Sequence, residues 1–196
     1  MKLYAYVMTS DTGFAPNPYW GDCTLATCKP RIRQSAQKGD WVIGTGSVKT
    51  VGAGKLVHAM LVDNVPLPLE KYFGDPTFKD KKPIINGTPR QRCGDNLYDK
   101  DAAGKWQRFP SEYHCKKEQQ EKDIRGGKVL ISKRFYYFGR NAVEIPPEFS
   151  ELAKKGLRGK YNFDINMVKQ FIAWLEKNHT PGIHGAPYHN PGCGCC

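Results

Sequence analysis

With 196 residues, 39% of them hydrophobic, the chain can build one core, as a single domain or a domain carrying a substantial insertion. Its mean hydropathy of −0.60, with 20 Gly and 14 Pro, assigns much of it to loops, and no apolar run approaches the ~20 residues of a membrane span. The net charge of +11 points to a polyanionic partner, because Lys and Arg displace the counterions condensed on phosphates.

In chain order, "MKLYAYVMTSDTG" has neither the apolar core nor the cleavage site of a signal peptide, so a cytoplasmic protein is expected. Residues 2–9 predict a strand with Leu3, Ala5 and Val7 on one face and Tyr4, Tyr6 and Met8 on the other. Both faces are apolar, which places that strand centrally, covered on both sides. "GFAPNPYWGDCTLATCKP" follows. It is too rich in Pro and Gly for regular structure, yet it carries Phe14, Tyr19 and Trp20. A helix is predicted from Pro30, with Ile32 and Ala36 four apart and Gly39 as its stop. "WVIGTG" and "KLVHAMLV" then read as strands.

The middle, about 64–127, reads as a loop-rich insertion or lid, with short helical stretches near 67–73 and a hairpin in "NLYDKDAAGKWQRF" turning at "DAAG". "KVLISKRFYYF" is strong strand material, and "NAVEIP" is a short strand candidate. The clearest helix has Asp164 as N-cap and Val168, Phe171, Ile172 and Leu175 along one stripe, a pattern of core packing. The Cys- and His-containing tail, 181–196, shows no periodicity and is expected to be irregular. Residues 1–180 thus form one α+β domain.

The Gly39-Asp40 step from a helix into an apolar strand resembles the entry to the second strand in PUA-like folds of the EVE, YTH and ASCH kind. That analogy implies a mixed, mainly antiparallel sheet closed into a barrel, with a few flanking helices. Longer stretches, "MKLYAYVMTSDTGFAPNPYWGDCTLATCKPRIRQSAQKGDWVIGTGS", "CGDNLYDKDAAGKWQRF", "VLISKRFYYFGRNAVEIP" and "GLRGKYNF", resemble the nucleotide modification associated domain 2 family. This is a set of small bacterial and phage proteins grouped with DNA base hypermodification. The resemblance implies a role beside modified nucleotides and hands over no particular reaction.

A base-binding slot is one reading of the opening loop. Phe14, Tyr19 and Trp20 would offer π-faces, Asp11 and Asn17 would read a base edge, and Arg31 and Arg33 would hold phosphates. Trp41, Thr45 and Ser47, on the following strand, would complete the pocket. The competing reading folds these aromatics over the sheet as core. The partner would be nucleic acid, DNA sooner than RNA, or a free nucleotide, with DNA modification enzymes as further partners and no membrane.

An enzyme is the alternative. Cys28, ahead of a helix, is then the nucleophile candidate, with His114 or Asp95 as acid–base groups. Seven cysteines without an export signal argue for free thiols or metal ligands over a disulfide framework. Cys23 and Cys28, in a C-x4-C spacing, could bind zinc with partners from Cys93, His114 and Cys115, or the tail residues His184, His189, Cys193, Cys195 and Cys196, and zinc is the one cofactor this pattern allows for. The third alternative is a basic interaction protein serving a partner enzyme.

Overall fold

The computed structural model describes residues 1–190. In chain order the strands and helices are β1 (Leu3–Val7), β2 (Cys23–Leu25), α1 (Pro30–Ser35), β3 (Trp41–Thr45), β4 (Lys55–Leu61), β5 (Leu67–Pro68) and α2 (Leu69–Gly74). They continue with α3 (Pro89–Arg92), β6 (Tyr98–Lys100), β7 (Trp106–Arg108), α4 (Lys117–Gly126), β8 (Lys128–Ser132) and β9 (Phe135–Tyr137). β10 (Val143–Glu144), β11 (Arg158–Lys160), α5 (Ile165–Asn178) and β12 (Gly182–Ile183) follow among the described residues, which also include 3-10 turns.

The main sheet runs β11-β1-β3-β4-β9-β12, with β10 also paired to β4. β1 and β3 are parallel, from Leu3 opposite Trp41 to Val7 opposite Thr45, and the segment carrying β2 and α1 makes the crossover that a parallel pair requires. β3, β4 and β9 are antiparallel neighbours. A second sheet, β2-β8-β5, and the β6–β7 hairpin make up the rest. The fold is therefore α+β with mixed, mostly antiparallel sheets. The closed barrel expected from the PUA-like analogy is not found: among the described residues the main sheet runs open from β11 to β12.

The two apolar faces of β1 explain its central place. Leu3 and Ala5 join one core cluster with Trp41, Ile43 and the α5 residues Val168, Phe171, Ile172 and Leu175. Tyr4, Tyr6 and Met8 join a second cluster with Cys23, Leu25, Ile32, Val42 and Leu130, so α5 covers one face and the α1/β2/β8 layer the other. α5 starts where Asp164 accepts hydrogen bonds from the Asn166 and Met167 amides.

The β6–β7 turn is organised by Asp101, whose carboxylate accepts from the Ala103 and Lys105 amides and from Gln107. α4 has no apolar stripe to announce it; its buried residues are Asp123 and Gly126, facing α1. No helix among the described residues is long and apolar enough to cross a membrane. Cys23, Cys28 and Cys93 are free thiols, whereas Cys115 is disulfide-bonded, against the expectation of free thiols or metal ligands.

Candidate active site

Cys28 ends the loop between β2 and α1, with φ of 57°, and Lys29 follows at 37°. Left-handed backbone in a residue with a side chain costs on the order of 1 kcal/mol or more, and it persists where surrounding groups hold it. Here they are visible. The Cys28 N–H donates to Asp123 Oδ1 at 2.6 Å, and the Cys28 carbonyl accepts from Arg33 Nε at 2.8 Å. The fully buried Arg33 also donates to the Lys128 carbonyl at 2.8 Å and the Asp123 carbonyl at 2.5 Å. One guanidinium thus ties the Cys28 loop to both ends of the α4–β8 junction. It lies against Gly126, where a Cβ would stand 2.1 Å from Nη2.

His114 comes from the insertion, just past Tyr113. Its Nε2 lies 3.4 Å from Cys28 Sγ, and its Nδ1 is hydrogen-bonded to Asp123 Oδ2. Tyr98 OH donates to the same carboxylate oxygen at 2.9 Å. Nucleophile, base and orienting carboxylate form a connected chain, the arrangement by which a thiol and an imidazole share a proton. Burial alone would lower the His114 pKa, but its hydrogen bonds to Asp123 and Cys28 and their electrostatic influence raise it to about 10. At neutral pH His114 is therefore an imidazolium held between sulfur and carboxylate.

Trp20, Cys28, Lys29 and His114 are the non-glycine residues with positive φ among those described, and three of the four meet at this site. Such concentration of backbone strain is a mark of functional sites. Lys29 places its ammonium 4.2 Å from the ring centroid of Tyr6, whose hydroxyl pairs with His58 Nε2 at 2.8 Å. Burial lowers the Lys29 pKa, Cys28 beside it raises it, and the charges of Lys122 and Arg158 lower it again. His58, wholly buried, has its pKa pushed down to about 3 and is neutral.

Of the aromatic loop, Phe14 packs against this centre. Phe14 stacks on Tyr113 with centroids 4.4 Å apart and meets the His114 ring edge-on at 5.0 Å. Asp11 is buried, accepting from Tyr137 OH and the Tyr188 amide. Asn17 donates to the Cys93 carbonyl and accepts from Lys81 Nζ at 3.0 Å and from the Tyr19 amide. Tyr19 is buried under the Arg90 guanidinium; Trp20, edge-on to Tyr19, is half-buried.

Arg31 is exposed on α1. Trp41 stacks on Tyr136 within the core, Thr45 is buried beside the Tyr6 carbonyl, and Ser47 bonds Thr50. Asp95 stands in a separate buried network, accepting from Thr24 and Tyr72 at 2.7 Å each.

Of the three residues weighed for catalysis, the structure brings Cys28 and His114 together and leaves Asp95 apart. Sequence reading missed Asp123, 95 residues from Cys28, because a lone Asp inside "EQQEKDIRGG" carries no local signal. The role of Arg33 was equally hidden.

The sulfur, imidazole and carboxylate ligand atoms of Cys28, His114 and Asp123 all lie within 4.8 Å of one another, a donor set suited to zinc. Cys23 is fully buried, its thiol pushed up to about 12 by burial, and Cys193, Cys195 and Cys196 lie outside the described residues. Added zinc is expected to protect Cys28 from iodoacetamide, with EDTA restoring the rate, read by mass spectrometry. An unchanged rate would exclude metal binding by the triad.

No curated protein and no solved structure matches this chain. The sequence model of nucleotide modification associated domain 2 matches residues 1–191, nearly the whole length, and the chain belongs to that family.

Proposed function

We propose that this protein is an enzyme of a nucleotide modification system, acting through Cys28 as nucleophile on an acyl carbon carried by a nucleotide or nucleic acid. The observation that carries the reading is the Cys28–His114–Asp123 chain, held by strained backbone on both the cysteine and the histidine. Cysteine attacks as the thiolate, and an adjacent imidazolium is an ordinary way to favour that form. In the reaction, Sγ bonds to the carbonyl carbon of an amide or ester, and the carbon–nitrogen or carbon–oxygen bond breaks. His114 Nε2–H supplies the proton to the leaving amine or alcohol. Water or an amine then attacks the thioester, His114 takes its proton, and Cys28 leaves as thiolate. Asp123, reinforced by Tyr98, keeps the imidazole oriented throughout. Lys29, next to Cys28 in the chain, feels the positive charge of Lys122 and Arg158, and such a gathering of cations suits a phosphate-bearing substrate.

The first test uses p-nitrophenyl acetate as a generic acyl donor. Release of p-nitrophenol with an acetyl adduct on Cys28, absent in Cys28→Ala, is the expected result, followed by nucleotides bearing amide or ester groups on the base. Failure of the wild type to acquire any adduct sinks the covalent reading.

A second reading, a module that recognises a modified DNA base without turnover, is favoured by the net charge of +11. It predicts salt-sensitive binding of oligonucleotides carrying modified bases, unaffected by Cys28→Ala.

A further inference from the structure

Within the insertion, Phe73 of α2 and Phe109, just past β7, stack with centroids 4.5 Å apart, and the Lys82 ammonium sits 3.7 Å from the Phe73 centroid. These groups line a cavity of about 200 Å³, together with Ile85 and Asn96. Asn96 is 1% exposed, and its amide orientation is settled by its partners: Nδ2 donates to the Tyr72 carbonyl at 3.1 Å and the Phe78 carbonyl at 3.2 Å. Its Oδ1 is left with no partner, and a buried acceptor in that state is costly enough to call for a ligand or water. Phe109 and Ile85 are 42% and 45% exposed, large apolar side chains facing solvent beside the cavity.

We infer that this cavity is a nucleobase subsite: the stacked Phe73–Phe109 pair forms one aromatic wall and Ile85 an aliphatic one beside a single planar heterocycle, Asn96 accepts from a ring N–H, and Lys82 faces the attached phosphate. The volume is below the ~300–1,000 Å³ that takes a drug-sized ligand, which suits one ring system. An aromatic wall with one cation and one amide acceptor matches a base's π-face, its phosphate and its N–H. Backbone links the subsite to the nucleophile: Tyr98, which reaches Asp123, is two residues beyond Asn96. The inference deepens the enzyme reading above and rests on it for the choice of a nucleotide as ligand.

The experiment is calorimetric titration of thymidine 5′-monophosphate and base-free deoxyribose 5-phosphate into wild type, Phe109→Ala, Ile85→Ala and Cys28→Ala. The nucleotide is expected to bind at least about tenfold more tightly than the base-free phosphate, with Phe109→Ala losing about tenfold and Ile85→Ala a smaller factor. Cys28→Ala should bind as wild type does, so failed covalent chemistry leaves this affinity intact. The inference is overturned if the base-free phosphate binds equally well, if the nucleotide does not bind, or if both cavity variants retain wild-type affinity.

Discussion

Replacing His114 by Gln is expected to destabilise the protein most in mild acid and least in alkali. The folded-state pKa, about 10, lies above the ordinary value of 6.5, so the imidazolium is the form that folding favours. Its contribution is therefore fully present below about pH 6.5 and is lost as pH rises through about 10. At its full extent the effect is on the order of 2 kcal/mol. Urea unfolding of wild type and His114→Gln across that range would show two curves converging upward in pH, and parallel curves would refute the charge assignment. Cys28→Ala removes one of the two partners and should flatten the wild-type slope part of the way.

The same variant has a chemical readout. In the wild type, iodoacetamide should label Cys28 ahead of Cys23 and Cys93, which are buried with thiols pushed up to about 12 and about 11. In His114→Gln, labelling of Cys28 at neutral pH is expected to fall by about tenfold or more. A merely structural histidine would leave that rate unchanged or raise it by loosening the fold.

Arg33→Met is expected to cost about 3–5 kcal/mol, a large part of the stability of a small domain. It strands the carbonyls of Cys28, Asp123 and Lys128 in the interior and frees the loop that sets the Cys28 backbone. Gly126→Ala attacks the same contact from the other side. Its methyl would stand 2.1–2.6 Å from the guanidinium atoms, and the fully buried arginine has no room to withdraw. The two substitutions should be strongly non-additive, the double variant being little worse than Arg33→Met alone, because the methyl then fills vacated space. Urea midpoints of the two single variants and the double variant test this, with Cys28 labelling reporting the site. Additive losses would mean that Gly126 is needed for some reason other than Arg33.

Much of the scaffold was legible before folding. β1 is apolar on both faces, and nothing except a central position satisfies both; the α5 stripe and its Asp164 cap, and the turn at Asp101, are likewise dictated by neighbours a few residues away. Residue chemistry also singled out Cys28 and His114, since few side chains can serve as nucleophile or base. α4 was not legible, because a helix that buries an aspartate and a glycine has no hydrophobic period to read.

Only the tertiary structure decided what these groups do together. Arg33 reads as one more cation on a basic helix, a natural phosphate holder, until the fold turns three backbone carbonyls toward it and closes it from solvent. Phe14 reads as the wall of an open slot, yet it is seated on Tyr113 and His114, some 100 residues along the chain. Asp123 meets Cys28 across a separation of 95 residues. Local sequence sets local preference, which is why strands, caps and turns could be foretold. The pairing of Cys28, His114 and Asp123 depends on which buried polar groups find one another, and only the assembled core settles that.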